Sequence, residues 1–218
     1  MNSSTKGVFG ITLKDLAEIA ILCAMAIGLD IIKIPFPTGS LNLSCVPLII
    51  IALRHGPFKG FIAGGIVFGI ITCLIDGYGF ITYPMEYLLA FGAIGVVGFV
   101  APYIIKNFGK SLKHTILSYV FLIVSIAVWM VIRYFCACFD SFVLYLSDIE
   151  EFMAENGIDN AVLAAMIYNI NVPVTALADA IAVSALLYPI TLLRKRFQSS
   201  FMKSILDEEE PTIEVEEE

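Results

Sequence analysis

The chain has 218 residues, of which 59% are hydrophobic and 15% are charged, a composition that excludes an ordinary soluble domain and indicates an integral membrane protein. The net charge of −7 comes from eight acidic residues in the last twelve positions. The rest of the chain holds 13 basic and 12 acidic residues, which also excludes a nucleic-acid-binding surface. The five cysteines form no Cys-x-x-Cys pair and both histidines lie beside basic residues, so neither a metal site nor a cofactor is predicted.

Long apolar runs predict an all-α membrane protein with six transmembrane helices. In chain order these runs cover 13–34, 43–53, 60–75, 81–105, 115–138 and 161–193. The last run is longer than a bilayer requires, so it is either one helix or two pieces that meet at a bend at 168–173. Residues 139–160 are acidic and are predicted to be irregular. The chain is thus predicted to divide into a six-helix transmembrane domain, 1–203, and an acidic, disordered cytoplasmic tail, 204–218.

The first predicted span carries small residues at every fourth position, namely Ala20, Ala24 and Gly28. In lipid, such a stripe allows another helix to approach closely. Two interpretations remain open, packing within the bundle and docking of a partner subunit.

The fourth predicted span contains a carboxylate, Glu86. An ionised side chain in the membrane costs about 2.5–3.5 kcal/mol or more unless it is compensated. In a regular α-helix, Tyr83, Glu86, Tyr87 and Ala90 share one face, with two phenol rings beside the carboxylate. Such a face suits a flat cation, because aromatic rings and a carboxylate both attract positive charge.

The basic residues predict the orientation of the bundle. With the N-terminus inside and six spans, only Lys33 faces outward and Arg133 stays in the membrane, while the other eleven of the 13 basic residues face the cytoplasm. This strong positive-inside asymmetry predicts that both termini are cytoplasmic. The inward-facing residues are Lys6, Lys14, Arg54, Lys59, Lys106, Lys110, Lys113, Arg194, Lys195, Arg196 and Lys203.

This orientation brings three polar side chains to a similar depth in the outer half of the bundle. They are Glu86 in the fourth span, Arg133 in the fifth and Asn169 in the sixth. Their convergence predicts a binding pocket that opens to the outside.

The same residues admit structural explanations. Glu86 and Arg133 could neutralise each other as a salt bridge inside the bundle. Arg133 could equally pair with Asp140, Asp30 or Asp76. The tyrosines at this end, which are Tyr78, Tyr83, Tyr87 and Tyr168, could form an aromatic belt at the membrane interface.

Several short segments resemble the thiamine-specific S-component, the substrate-binding subunit, of energy-coupling factor (ECF) transporters. The resemblance is clearest over the first four predicted helices and implies the same six-helix S-component bundle. It rests on Gly39-Ser40, Pro47-Leu48, Ala52-Leu53-Arg54-x-Gly56, Lys59-Gly60, Gly64-Gly65 and the run from Glu86 to Phe91.

The resemblance implies roles for individual residues. Glu86 would hold the ligand by charge and hydrogen bonds, Tyr87 would stack on a ring, and Asn169 would add a polar contact. Phe36 and Tyr145 are the nearest equivalents of two further aromatic contacts. Ala20 and Ala24 would belong to a docking motif for the transmembrane T-component, whose two ATPases drive uptake.

The second half of the chain departs from the family pattern. Ala137 stands where the family has a histidine, and Ala164 stands where it has a tyrosine. The expected ligand is therefore thiamine or a related small vitamin, such as a thiamine precursor.

Three functions follow as hypotheses. The first is a vitamin-binding subunit of an ECF-type uptake system at the cell membrane, with ATP hydrolysed by other chains and no enzymatic activity of its own. The second is a solitary, ion-coupled secondary transporter in which Glu86 and Arg133 act as a switching pair. The third is a membrane scaffold that uses its acidic tail.

Overall fold

The fold is a helical bundle, seen in a computed structural model that describes residues 12–36, 39–193 and 198–207. The elements, in chain order, are α1 (Leu13–Ile31), β1 (Ile34–Phe36), β2 (Gly39–Leu41), α2 (Cys45–His55), α3 (Pro57–Asp76), α4 (Tyr83–Asn107), α5 (Leu112–Val143), α6 (Leu146–Asn156), α7 (Ala161–Tyr168), α8 (Asn171–Leu193) and α9 (Ser200–Asp207).

Within the described residues, four stretches are long and apolar enough to cross a membrane by length and composition. They are Pro57–Asp76, Tyr83–Asn107, Leu112–Val143 and Ala161–Thr191, and Cys45–His55 is a shorter apolar helix. Each of the six predicted runs corresponds to a helix or helix pair, so the all-helical membrane architecture is confirmed. The count of six spans and the cytoplasmic position of both termini stay predictions.

The break in the last predicted run is present as two helices. α7 ends at Tyr168 and α8 begins at Asn171. Of the two alternatives left open by the sequence, the structure therefore has the bent one.

Residues 139–160 are more ordered than their acidic composition predicted. α5 continues to Val143, and α6 follows from Leu146 to Asn156. α6 packs on α7 through the buried Ile149, Ala164 and Ala165. The prediction of an irregular loop was wrong, because apolar residues at helical spacing bury one face of this short, otherwise polar helix.

The crossing of α3 and α4 is built on glycines. Hydrogen-bonded turns in both helices are wider than a regular α-turn, over Ile62–Phe68 and Tyr83–Leu89. A Cβ atom built on Gly64 would lie 2.4 Å from the carbonyl oxygen of Phe91. The two backbones are therefore in direct contact, as small residues permit in a membrane.

Trp129 of α5 anchors the centre of the bundle. Its side chain is fully buried, and its indole N–H donates a hydrogen bond to the carbonyl oxygen of Ala90, at 2.9 Å. This contact fixes α5 against α4 at the depth where the polar side chains lie.

A polar network closes the end of the bundle where α1 begins and α2 ends. Arg54 binds Glu18 through two nitrogens, and His55 lies 3.7 Å from Asp15 and 3.5 Å from Glu18. Ser200 of α9 donates its hydroxyl and its backbone N–H to Asp15. The charges at the start of the first predicted span are thus compensated, and α9 is held to α1.

Part of the predicted tail lies within the described residues. Residues 204–207 continue α9, and Ile205 is buried. Residues 208–218 and the basic residues Lys6, Arg194, Lys195 and Arg196 lie outside the described residues.

Candidate functional site

A cavity of about 330 Å³ lies at the end of the bundle opposite the polar network. It is bounded by the end of α1, the β-hairpin, the end of α3, the start of α4, the end of α5 and the starts of α6 and α8. Its volume falls within the range of small-molecule sites. Five of the predicted ligand-binding residues line it, namely Glu86, Tyr87, Arg133, Tyr145 and Asn169.

Glu86 reaches the cavity from the wide helical turn Tyr83–Leu89. Wide turns of this kind often occur at functional sites, because they rotate a side chain out of the regular helical register. Among the described residues, no ion pair within 4.0 Å and no side-chain hydrogen bond holds the Glu86 carboxylate. A salt bridge with Arg133, the structural alternative raised by the sequence, is therefore not formed in this structure.

Tyr87 forms a fixed wall of the cavity. Its side chain is 3% exposed, and its hydroxyl donates a hydrogen bond to Asp76 Oδ2, at 3.0 Å. The other carboxylate oxygen of Asp76 accepts from Lys33 Nζ, also at 3.0 Å. Because this chain of contacts holds the phenol ring in place, the ring can contact a flat ligand without first becoming ordered.

Arg133 lies among aromatic rings and forms no ion pair with any residue that the structure describes. Its guanidinium carbon is 4.6 Å from the centre of the Phe91 ring and 5.6 Å from that of Trp129. One terminal nitrogen donates to Cys45 Sγ, at 3.4 Å. Such cation–π contacts stabilise a positive charge away from water.

A further carboxylate, Asp179, was not singled out by the sequence analysis. Asp179 is completely buried in α8, and neither of its carboxylate oxygens has a hydrogen-bond partner among the described residues. As the one acidic residue in an apolar run, Asp179 could have been found from the sequence.

Asn169 lies at the end of α7, where it contacts α5. Its side-chain nitrogen donates to Ser141 Oγ at 2.8 Å and to the carbonyl oxygen of Ala165 at 2.9 Å. Both N–H bonds of the amide are therefore used by the protein. Only the carbonyl oxygen of this side chain remains for a ligand, so Asn169 can act as an acceptor.

Tyrosines close the cavity on the side of α6. The rings of Tyr78 and Tyr145 meet edge to face, with their centres 6.0 Å apart. Tyr168 also lines the cavity, and its ring packs edge to face on Phe152 of α6. These rings line the cavity, so an interfacial belt does not fully describe them.

Two predicted ligand-binding residues lie away from the cavity lining. Tyr83 is turned toward α3, where its hydroxyl donates to the carbonyl oxygen of Gly65, at 3.1 Å. The regular helix assumed from the sequence placed it beside Glu86, but the wide turn changes its direction. Phe36 lies in β1, paired with Gly39 of β2, a hairpin that the sequence analysis did not predict.

The predicted docking stripe lies on the surface of α1. Ala20, Ala24 and Gly28 are all exposed, and a Cβ atom added to Gly28 would meet nothing within 4 Å. Packing within this chain therefore does not explain the stripe.

Comparisons with known proteins agree with this architecture. ThiT from Listeria monocytogenes matches with a TM-score of 0.68 and 22% identity, over 81% of this chain and 94% of that chain. The S component of a bacterial ECF transporter matches with a TM-score of 0.50 and 20% identity, over 84% of this chain and 98% of that one. These likenesses show that the chain has the S-component fold.

No curated protein sequence matches the chain. The family model described as "Thiamine transporter protein (Thia_YuaJ)" matches residues 16–197, which is most of its length. The chain therefore belongs to the thiamine transporter protein family.

Proposed function

We propose that this protein binds thiamine in the cavity at the predicted outer end of the bundle and delivers it for uptake. The observation that carries the proposal is the Glu86 carboxylate, which faces the cavity without an ion pair among the described residues. The thiazolium ring of thiamine carries a permanent positive charge. Because this charge does not depend on pH, it can neutralise the ionised carboxylate of Glu86, and Tyr87 offers a fixed aromatic surface beside it.

Membership of the family makes the chain a multi-pass transport protein of the cell membrane rather than an enzyme. For such a subunit, the energy for uptake must come from elsewhere. The proposal assigns it to an ECF module with a transmembrane T-component and two ATPases, in keeping with the S-component fold.

The proposal is tested by titrating the purified protein in detergent with thiamine and with its neutral pyrimidine half. Thiamine is expected to bind in a saturable manner, and the pyrimidine half roughly 100-fold more weakly, because it lacks the charge that Glu86 compensates. Equal binding of the two compounds, or no binding of thiamine, would contradict the proposal. Thiamine uptake into vesicles that hold this chain alone, driven by a pH gradient, would favour the ion-coupled alternative.

The exposed stripe on α1 is the proposed docking face for the T-component. Replacing Ala24 by Phe should reduce co-purification of the T-component and ATPases severalfold, because the larger side chain keeps the partner helix at a distance. Thiamine binding by the isolated subunit should not change, since Ala24 does not line the cavity.

The matched control for this substitution is Val128→Phe. Val128 is 45% exposed on α5, away from the stripe, and gains a ring of the same size. Equal loss of the partner chains in both variants would remove the special role of α1.

A further inference from the structure

The charged residues around the cavity do not balance. Five acids and two bases line it, which are Asp30, Asp76, Glu86, Asp140 and Asp148, with Lys33 and Arg133. An excess of acids favours positively charged ligands, but the ligand chemistry depends on which of these acids the protein already satisfies.

Three of the five acids have hydrogen-bond partners in the protein, and one of them is the exposed Asp148, which accepts from Ser147 Oγ at 3.4 Å. Asp76 accepts hydrogen bonds from Lys33 and Tyr87, each at 3.0 Å. Asp30 accepts from the amide nitrogen of Asn42, at 2.8 Å. Both oxygens of Asp76 and one oxygen of Asp30 are therefore engaged.

Arg133 does not remove the remaining excess. It forms no ion pair within 4.0 Å with Glu86 or with the buried Asp179 among the described residues, and its guanidinium packs on the rings of Phe91 and Trp129. Asp179 lies outside the cavity lining and cannot be reached by a ligand. Among the described residues, no cation within 4.0 Å therefore balances the Glu86 carboxylate.

Asp140 is the acid that the sequence analysis considered only as a partner for Arg133. It lies on α5, seven residues after Arg133 and three after Ala137, which is the same face of a helix. Its side chain is 4% exposed, and its Oδ2 atom has no hydrogen-bond partner among the described residues. Asp140 and Glu86 both line the cavity.

Tyrosine hydroxyl groups and Arg133 also line the cavity and can donate hydrogen bonds, but three side chains offer acceptor atoms to a ligand. They are the carboxylate of Glu86, the free oxygen of Asp140 and the side-chain carbonyl oxygen of Asn169, whose N–H bonds are used by Ser141 and Ala165. A buried acceptor without a donor costs about 1–3 kcal/mol. A matching ligand must bring N–H donors as well as positive charge.

We propose that Asp140 is a second ligand-binding carboxylate, which accepts a hydrogen bond from an amino group on an aromatic ring of the ligand. This inference rests on the proposed function. Glu86 neutralises the cationic ring, and Asp140 and Asn169 accept hydrogen bonds from the amino group of the other ring. Thiamine carries both features, a thiazolium and a 4-aminopyrimidine joined by one methylene group.

The test compares thiamine with oxythiamine, which keeps the thiazolium but has oxygen in place of the amino group. The parent protein should bind thiamine roughly tenfold or more tightly than oxythiamine, because the oxygen faces acceptors. In Asp140→Asn, this ratio should fall to roughly threefold or less, since an amide can donate as well as accept.

The matched control is Asp159→Asn. Asp159 is exposed between α6 and α7 and does not line the cavity, so its replacement should leave the ratio at the parent value. Asparagine has nearly the same shape as aspartate. Thermal unfolding of both variants in detergent establishes that they are folded.

The outcomes separate the two proposals. If the parent binds both compounds equally, or if Asp140→Asn keeps the parent ratio, the role of Asp140 is refuted while thiamine binding stands. If the parent binds neither compound, the proposed function itself fails. The ratio of thiamine to oxythiamine affinity in the parent protein tests the inference without any variant. A misfolded Asp140→Asn protein therefore does not leave the inference untested.

Discussion

Replacing Glu86 by Gln should weaken thiamine binding by roughly 100-fold, while the fold and the cavity remain. The substitution keeps the shape of the side chain but removes the charge that balances the thiazolium, and a hydrogen bond to a charged group contributes about 1.5–3 kcal/mol. Glu86 has no ion pair to lose among the described residues, so the thermal midpoint of the ligand-free protein should stay the same or rise. Calorimetric titration with thiamine measures the affinity.

The control for this experiment is Asp148, an exposed acid that also lines the cavity. Asp148→Asn changes the net charge by the same amount but at an exposed position, so its effect on affinity should be less than about threefold. If Glu86→Gln bound thiamine as tightly as the parent, the carboxylate would have no part in recognition. If both variants lost affinity equally, the effect would come from the overall field of the cavity and not from Glu86.

The second large effect concerns stability. Replacing Gly64 by Ala should destabilise the protein by about 3 kcal/mol or prevent its folded expression. The new Cβ atom would lie 2.4 Å from the carbonyl oxygen of Phe91 and 3.2 Å from a methyl group of Ile94, so α3 and α4 would have to separate. Backbone atoms at this crossing cannot move aside as the end of a flexible side chain can.

Gly28→Ala provides the matched control. It makes the same change in a helix, but nothing lies within 4 Å of the added atom, so the stability should stay the same or rise by about 0.5–1 kcal/mol. Thermal unfolding in detergent compares the two variants. An unchanged thermal unfolding midpoint for Gly64→Ala would contradict the prediction, because it would show that α3 and α4 can separate without loss of stability.

The separation of α3 and α4 should also affect the site. Gly65 contacts Leu88, and Tyr83 is hydrogen-bonded to the carbonyl oxygen of Gly65. Both contacts lie in or against the wide turn that carries Glu86. A Gly64→Ala protein that still folds is therefore expected to bind thiamine more weakly than Gly28→Ala.

Much of the fold could be predicted from the sequence, because the signal is local. Each apolar run became a helix or helix pair, and the polar segment around Asn169 marked a real break between α7 and α8. The β-hairpin and α6 were missed. Both are short and depend on packing against other elements, α6 on α7 through Ile149 and β2 on α8.

Part of the candidate site could be predicted for the same reason. Glu86 and Tyr87 stood out as a charge and an aromatic ring in an apolar run, and both line the cavity. Tyr83 was assigned to the same face on the assumption of regular helical spacing, which the wide turn does not keep. No local sequence pattern predicts such a turn, because the turn depends on how α4 packs against the glycines of α3.

The sequence by itself determined that this chain is a bundle of membrane helices with a carboxylate in the fourth, since hydrophobicity and charge are properties of each segment alone. Only the tertiary structure decided which charges are free. It placed Lys33 on Asp76, directed both N–H bonds of Asn169 into the protein, and left Glu86 without an ion pair and an oxygen of Asp140 without a hydrogen bond among the described residues. These pairings join residues from different helices, and their energies depend on distances that the order of residues in one helix does not set.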